Sequence, residues 1–383
     1  MSLDTLYILD SNFVKLGIID TAKSVIWTSR YSECGDFEIC IPMSKQIFKY
    51  INPEFQDYTI SRYIVHDDSD MIGIVDGYKI TTAEDDMEYL IITGRCATSL
   101  LSRRIVKHSG VFKSETTVIE VLQNIIDNNI GNAAGENRQM EKVHVSTYSG
   151  YLKNPTNDKI YSANYQHKNL YKSVVEICSK FDYGIRSKFY EMDNEKYIWI
   201  ELYQGDDKTE NQTDRIQIKF SNQNDNLRKL EYSVSYKDYA TRVFVEGDKI
   251  ESGLGNYLKT VTRPGAKYEG QMLREKFINA HDISATDPTT QKHYDEVTYE
   301  KMLIQRGEEE LTKSSITKAI TGEIATNSIY KYNVDYKIGD VVTIESDYGL
   351  KESFRLVEMV ECLDENGYTM VPTFKNINMT QGE

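Results

Sequence analysis

Hydrophobic and polar residues alternate through most of the first hundred positions of the chain. Val25 and Trp27 share one face before the turn at 32–36, and Phe37 and Ile39 share one face after it. Alternation with a period of two on both sides of a turn that contains glycine predicts a β-hairpin. The same alternation predicts three further strands, at 58–66, 71–80 and 88–93. The beginning of the chain is therefore predicted to be a β-meander.

The spacing of apolar residues changes to that of a helix between 117 and 126 and again between 168 and 182. Apolar side chains at intervals of three and four residues predict amphipathic helices. Gly131 is placed to end the first helix, and Gly184 is placed to take a left-handed conformation at the end of the second. The alternating runs that follow predict strands at 185–190 and 196–203. Together these elements predict a small α+β domain.

Strand patterns return in the second half of the chain, where they are interrupted. Alternating runs predict strands at 215–220, 229–247, 320–332, 341–345, 353–361 and 368–374. Between them, residues 248–293 are rich in loop-forming residues, and residues 294–313 have the pattern of a charged helix. The C-terminal β-rich region is therefore predicted to be split by an insertion that contains a helix.

One order of elements occurs twice, near the two ends of the chain. A strand, a polar turn, a long strand, a second polar turn and a closing strand follow one another in both places. Tyr63 and Tyr89 are as far apart as Val342 and Tyr368. Two interpretations are open: two unrelated meanders of a common type, or two related β-domains. In the second case, three copies of the chain would present six similar units in a ring.

Composition and charge narrow the classes of function. The 28 tyrosines suit the pleated, half-buried surface of a sheet. The 59 acidic and 45 basic residues give a net charge of −14, and a surface of that sign repels phosphate backbones. No local basic patch offsets this charge, so we expect no tight binding of nucleic acid.

Cysteine usage and hydropathy indicate where the protein folds. The five cysteines are odd in number and widely spaced, with no Cys-x-x-Cys pair. This pattern is typical of reduced thiols in a protein made in the cytoplasm. No apolar run approaches the roughly 20 residues needed to cross a bilayer, and the N-terminus lacks the features of a signal peptide. We therefore expect folding in the cytoplasm and no membrane insertion.

Three motifs are candidates for chemistry, and we expect none of them to carry it. Ser315 and Lys318 have the Ser-x-x-Lys spacing of some acyl enzymes, but the companion motifs are missing. Residues 67–70 resemble the start of a calcium loop, but no glutamate closes a loop of about twelve residues. Cys178 and His281 are a conceivable thiol–histidine pair, yet Cys178 lies on the apolar stripe of its helix.

The rest of the sequence is equally poor in catalytic signatures. The six histidines show no metal-ligand spacing, and the chain has no phosphate-binding loop and no nucleophile elbow. We therefore expect no catalytic residue, no cofactor-binding residue, no metal ligand and no cofactor. The chain is predicted not to be an enzyme.

Several stretches of the chain resemble a known protein family. They are residues 6–10 leading into 24–39, residues 306–311 and residues 332–342. Together they resemble the ReqiPepy-type siphovirus tail proteins, a family similar to the baseplate hub proteins of tailed phages and tail-like particles. The likeness occurs in the expected order at both ends of the chain.

The resemblance implies a fold that is α+β and mainly β. Two tube-like β-barrel domains would be related by internal duplication, each with an outer α+β or helical domain. The predicted elements fit this plan. The domains would be 1–104 (first tube-like domain), 105–205 (outer α+β domain), 206–250 with 316–376 (second, split tube-like domain), 251–315 (insertion) and 377–383 (C-terminal tail).

The resemblance also implies a structural role at the tail tip of a phage or prophage. The chain would form a homotrimeric ring that joins the sixfold tail tube to a threefold tip spike or fibre. Its partners would be the tail tube or distal tail protein above, the spike or fibre below, and the tape-measure protein. DNA would pass through without specific binding, and the net charge suggests an acidic bore. Assembly would take place in the host cytoplasm, and the mature protein would reside at the virion tail tip.

Two functions of other classes remain open. Some relatives carry a C-terminal extension that degrades cell walls or binds a receptor, so a tail-associated cell-wall hydrolase is one alternative. A glycan-binding adhesin is the other, because aromatic side chains stack on sugars and tyrosine is abundant. The tyrosines alternate within strands throughout the chain rather than clustering, which favours a packing role.

Overall fold

The computed structural model describes residues 5–52, 61–66, 71–82, 86–108, 110–112, 115–135, 137–146, 158–160, 163–192, 195–248, 257–265, 268–286, 292–325 and 328–377. The calcium-like stretch 67–70, the beginning of the strand predicted at 58–66 and part of the turn at 84–86 lie outside these residues. Strands dominate the described part of the chain, as the alternating sequence predicted.

The first β unit consists of seven strands and one short helix. They are β1 (Leu6–Leu9), β2 (Lys15–Ile19), β3 (Ser24–Arg30), β4 (Asp36–Pro42), α1 (Lys45–Ile51), β5 (Tyr63–His66), β6 (Ile72–Thr82) and β7 (Glu88–Cys96). The sheet order is β3-β4-β7-β6-β5-β1-β2. Val25, Trp27, Phe37 and Ile39 are buried on one face, as predicted for the β3–β4 hairpin. Helix α1 was not predicted, since seven residues give too short a pattern to recognise.

An outer α+β domain follows the first β unit. Its elements are β8 (Val111–Phe112), β9 (Thr116–Thr117), α2 (Val118–Ile130), β10 (Val143–Ser146), β11 (Lys159–Ile160), β12 (Ala163–Asn164), α3 (Leu170–Lys180), β13 (Gly184–Met192) and β14 (Glu195–Tyr203). A capping box between Thr117 and Glu120 begins α2, and Gly131 caps its end. The two helices pack on the sheet β10-β14-β13 through their predicted apolar stripes.

One predicted glycine role in this domain is wrong. Gly184 does not close α3 in a left-handed conformation, because Asp182 takes the positive φ of 56° instead. Asp and Asn tolerate this conformation better than other residues with a side chain. Gly184 is the first residue of β13, where its missing side chain serves a different contact.

The remaining elements form a second β unit and an insertion. They are β15 (Lys219–Ser221), β16 (Leu227–Ser235), β17 (Arg242–Gly247), β18 (Tyr257–Thr262), β19 (Glu275–Asn279), α4 (Glu296–Lys313), β20 (Thr317–Ile324), β21 (Val341–Glu345), β22 (Lys351–Asp364) and β23 (Gly367–Asn376). Short 3-10 helices occur at Ala97–Arg103, Asn132–Ala134 and Gly270–Met272. Helix α4 lies where the charged helix was predicted, and Asp295 caps its beginning.

The insertion begins earlier than predicted. Strand β17 pairs with β18 and β19 in a separate sheet of three, which α4 covers. The predicted strand 229–247 is therefore two strands, β16 and β17, in different sheets. The predicted boundary between 250 and 251 falls inside this small sheet, because the chain already turns away at Tyr236, whose carbonyl accepts from the Tyr239 backbone N–H.

The two β units form one continuous sheet of thirteen strands. Strand β3 pairs antiparallel with β22, from Val25 opposite Leu363 to Arg30 opposite Glu358. Within the described residues no barrel closes. The pairing of β3 with β22 is called the seam from here on.

The two halves of this sheet have comparable strand orders. The first half runs β3-β4-β7-β6-β5-β1, and the second runs β16-β20-β23-β22 with β21 and β15 beyond β22. Every pairing along both paths is antiparallel except that of β15 with β21, which is parallel. The pairing at the equivalent place in the first half, β1 with β5, is antiparallel. The long central strands, β6 and β22, each contain a bulge, after Val75 and after Leu356.

The seam covers a buried layer to which both units contribute. Trp27 of β3 stacks on Phe37 with ring centroids 5.1 Å apart and is fully buried. On β22, Met359 is fully buried, and Glu361, opposite Trp27, is only 4% exposed. Burial raises the pKa of the Glu361 carboxyl, although the Tyr368 hydroxyl donates a hydrogen bond to it.

Replacing Glu361 by glutamine is expected to stabilise the fold increasingly as the pH rises. The pKa of Glu361 is raised in the folded state, so above the unfolded value of about 4.3 the unfolded chain releases this proton first. The wild type therefore loses stability between that pH and the raised folded pKa, and Glu361→Gln does not. Denaturant unfolding between pH 4 and pH 8 measures the difference. Glu365→Gln, in the exposed turn after β22, is the control; an equal effect of both variants, or none, would contradict the prediction.

Candidate functional site at the junction of the β units

Tyr31, directly after β3, connects the first β unit to both other parts of the fold. Its backbone N–H donates to the carbonyl of Val357 in β22 at 2.9 Å, and its carbonyl accepts from the N–H of Ile185 in β13 at 2.8 Å. Its hydroxyl donates to the carbonyl of Asp182 at 2.9 Å. One residue thus joins the first β unit, the second β unit and the outer domain.

Two glycines make room for the Tyr31 ring. A Cβ on Gly184 would lie 2.4 Å from this ring, and a Cβ on Gly339 would lie 2.5 Å from it. Gly339 also has φ +95°, which L side chains rarely adopt, so glycine is required there for two reasons. Tyr203 packs edge-on against the same ring at 5.5 Å. The outer domain and the second β unit therefore both pack directly against the Tyr31 ring.

Arg355 of β22 completes this contact. The residue is 7% exposed, its Nη2 pairs with the carboxylate of Asp182, and its Nη1 donates to the carbonyl of Gly339. Its guanidinium lies 4.9 Å from the centre of the Tyr31 ring, a cation–π contact. Burial raises the pKa of the Tyr31 hydroxyl, so the ring remains neutral beside the cation. The group of Tyr31, Asp182, Gly184, Gly339 and Arg355 is called the junction cluster below.

Asp340 fixes the loop that presents Gly339. The side chain is fully buried, and it accepts from the backbone N–H of Asp206 at 2.8 Å and of Lys337 at 3.0 Å. Lys208 Nζ lies 3.5 Å from the same carboxylate. Burial raises the pKa of Asp340 despite these donors. The stretch 332–342, which carried part of the family resemblance, is therefore a structural loop that positions the junction cluster.

The face of the large sheet opposite its buried layer carries paired charges near the seam. Arg30 Nε donates to Glu358 across the seam at 2.7 Å, and Arg30 Nη1 pairs with Asp36. Arg95 pairs with Asp76 further along the same face. We call this surface the open face. Small and β-branched side chains on β3, β7, β22 and β23 fill much of the area between these ion pairs: Ser24, Ile26, Thr28, Ile91, Thr93, Val360, Val371 and Thr373.

A cleft of about 480 Å³ lies beside the junction cluster, between the two β units and the outer domain. Arg30, Arg186 and Lys337 line it, and each has an acidic partner; for Arg186 this is Glu201, with 2.9 Å between Nε and the carboxylate. The cleft is thus a polar boundary between folded parts, in which these three cations are paired.

The structure separates the residues of the sequence motifs. Ser315 Oγ donates to the carbonyl of Leu311, while Lys318 Nζ pairs with Glu352 at 2.6 Å, so these two side chains do not form a Ser–Lys dyad. Cys178 lies in the core of the outer domain, where burial raises the pKa of its thiol to about 12. His281 belongs to the insertion and bonds Asp248 at 2.9 Å.

The described residues contain neither a metal-binding cluster nor a membrane-spanning helix. There, no three side chains of His, Cys, Asp or Glu come together as a metal site would require. In the same part of the chain, the helices lack the combined length and apolarity needed to cross a bilayer.

Comparison with solved structures gives the class of the fold. The tail protein from Neisseria meningitidis MC58 is 12% identical, with a TM-score of 0.57 over 97% of this chain and 96% of that one. The 43 kDa tail protein of prophage MuSo2 from Shewanella oneidensis is 13% identical, with a TM-score of 0.55 over 97% and 98%. Prophage tail protein gp18 from Listeria monocytogenes EGD-e is 13% identical, with a TM-score of 0.52 over 98% and 95%. At these identities the likeness shows a fold shared with phage tail proteins.

The chain belongs to the family of siphovirus ReqiPepy6 Gp37-like proteins, whose sequence profile matches residues 5–374. This confirms the resemblance drawn from the sequence over nearly the whole chain. No curated protein matches it. The chain thus combines membership of this siphovirus family with a fold shared with phage tail proteins.

Sequence reasoning missed two of the five residues of the junction cluster. It drew on Tyr31 and Gly339 only as parts of the stretches 24–39 and 332–342 that carried the family resemblance, and both residues are central to the contact. It did not find Arg355 or Asp182, whose partners come from distant parts of the chain. The available signal was Arg355 itself, a charged residue between Phe354 and Leu356 in a strand that is otherwise buried there.

Arg355→Ala is expected to lower the free energy of unfolding by about 2–3 kcal/mol, because it removes charge-assisted hydrogen bonds to Asp182 and Gly339. These bonds join the outer domain to the second β unit. Calorimetry of the variant should therefore also show the outer domain and the second β unit unfolding at separate temperatures. Arg228→Ala, which removes an exposed pair with Asp225, is the control and should leave the melting curve unchanged. A single unshifted transition for Arg355→Ala would refute this role.

Proposed function

We propose that three copies of this chain form a ring that serves as the hub of a phage tail tip. The ring would join the sixfold tail tube above to a threefold spike or fibre below. The observation that carries the proposal is the repeated strand order within one chain. A subunit with two similar units can meet a sixfold neighbour on one side and a threefold neighbour on the other.

The repeat is supported strand by strand. In chain order, β1, β3, β4, β5, β6 and β7 correspond to β15, β16, β20, β21, β22 and β23, and each set has the same neighbours in the sheet. The bulges in β6 and β22 fall next to the same partner strand in each set. We infer that the two units arose by internal duplication, with β15 turned parallel in the second.

The two units differ in what has been added to them. The first carries the outer domain, residues 105–205, after its last strand, and the second carries the insertion between β16 and β20. These added parts contact each other through the partly buried ion pair of Lys180 and Glu309. Such parts would lie at the outside of the ring, where they distinguish the two units and supply threefold surfaces.

The open face of the sheet would line the bore through which DNA passes. On this face Lys79 and Lys375 stand beside Glu38 and Glu231, in addition to the ion pairs near the seam. Both signs of charge are represented, so the proposed bore is mixed rather than acidic. Small hydroxyl and β-branched side chains without a concentrated positive field would let DNA slide without specific binding. The tape-measure protein would occupy the same bore before DNA does.

The solution mass tests the ring directly. Light scattering after size exclusion should give about three times the chain mass of 44.2 kDa, and averaged negative-stain images should show six similar lobes. The protein would be assembled in the host cytoplasm and reside at the virion tail tip. A mass of one or two chains across micromolar concentrations would contradict the proposed function.

We further propose that the chain is not catalytic. The junction carboxylates Asp182 and Asp340 take part in structural contacts, which favours this view over a cell-wall hydrolase. A zymogram on cell walls of the host should show no clearing by purified protein, with lysozyme as the positive control. Clearing that persists after repeated purification would overturn the proposal, and specific signals on a glycan array would favour an adhesin.

A further inference from the structure

Among the described residues, β2 and β15 each pair with a single strand of the large sheet, and two further edges, on β16 and β6, are also incomplete. Strand β16 pairs with β20 on one side, and among the described residues no strand pairs with its other side. Among the described residues, β5 pairs with only Ile72–Ile74 of β6. Residues 76–82 of β6 therefore pair only with β7 there. Exposed strand edges are templates for pairing with another chain, and proteins seldom leave long ones unprotected.

The edges on β6 and β16 correspond to the two strands of the seam. In the repeated strand order, β6 has the position of β22, and β16 has the position of β3. The seam joins β22 to β3 within one chain. We propose that β6 of each copy pairs antiparallel with β16 of the next copy, so that the in-chain seam is repeated between chains and closes the ring. This inference rests on the proposed trimer and specifies how its copies meet.

The register of this contact follows from the strand pairings within one chain. The bulges occupy equivalent places in β6 and β22, so Gly77 is equivalent to Glu358, and Lys79 is equivalent to Val360. The in-chain seam places Val360 opposite Thr28. The hydrogen-bonded neighbours can be traced from β7 through β4 to β3 in the first unit, and from β23 through β20 to β16 in the second. This tracing shows that Thr28 and Ser233 hold equivalent positions in the two units. Lys79 of one copy should therefore lie opposite Ser233 of the next.

The side chains along β6 agree with this register. Tyr78 is 37% exposed and Ile80 is 43% exposed, which is unusual for two large apolar residues on one strand. Their counterparts on β22, Met359 and Glu361, are buried beneath the in-chain seam. In the proposed contact, Tyr78 and Ile80 would be covered in the same way.

The edge of β16 offers suitable partners. The register sets Tyr78 opposite Val234 and Ile80 opposite Tyr232, an apolar pair in each case, since both β16 residues are only partly exposed. On the open face, the same register brings the ammonium of Lys79 diagonal to the carboxylate of Glu231. Cross-strand aromatic and β-branched pairs stabilise antiparallel strands.

A disulfide at the predicted register tests the contact. The double variant Lys79→Cys with Ser233→Cys should form a covalent trimer under mild oxidation, because residues directly opposite in antiparallel strands are within disulfide reach. The control is Ile80→Cys with Ser233→Cys, since a shift of one residue points the new thiol to the other face. The unsubstituted chain controls for its five native cysteines, two of which are buried.

A charged substitution gives a second, independent readout. Ile80→Lys should raise the dissociation constant of the trimer by at least about tenfold, because it places an unpaired ammonium in the contact. Ile18→Lys on β2 is the matched control, since Ile18 is 44% exposed and lies away from both edges. Both variants should keep the melting temperature of the isolated chain, as both positions are exposed in it.

The outcomes separate this inference from the proposed function. A trimer by mass with the predicted cross-link and a selective effect of Ile80→Lys supports both. A trimer by mass without that cross-link, or one that Ile80→Lys leaves intact, overturns the β6–β16 contact while the ring stands. A chain that stays monomeric overturns both.

Discussion

The pairing of β3 with β22 is the interaction on which the architecture depends. Each β unit alone would be an open sheet with exposed backbone donors and acceptors at its edges, and such edges promote uncontrolled association. The seam satisfies one edge of each unit and buries Trp27, Met359 and Glu361 beneath it. It also fixes the angle between the two units, since a hydrogen-bonded register permits little relative movement. A chain with two fixed, similar units is what a ring with threefold symmetry and six lobes requires.

The junction cluster explains why the outer domain has a defined place on this sheet. Tyr31 lies between the backbones of Gly184 and Gly339, and Arg355 ties Asp182 to the second β unit. Tyr31 and Arg355 are both buried in this contact. In the proposed hub, such an attachment would hold the outer domain at a fixed place on the sheet.

The sequence predicted element types well and their connections less well. The alternation around Trp27 and Phe37 predicted a hairpin, because burial on one face of a sheet imposes a period of two. The same rule could not tell that Tyr236 ends one strand and that the next belongs to another sheet, since both segments alternate. Nor does local pattern show that Arg355 meets Asp182, because pairing over such sequence distances depends on tertiary packing. The family resemblance supplied the domain plan that periodicity lacks.

A cryo-electron microscopy reconstruction of the purified protein, calculated without imposed symmetry, tests the central claim most directly. The account predicts a ring of three chains in which one continuous sheet passes through six similar seams, three within chains and three between them. The open face should line the bore, and the outer domains should lie on the outside. A ring in which the edges of β6 and β16 face solvent, or an assembly in which the two β units of a chain occupy dissimilar positions, would contradict it.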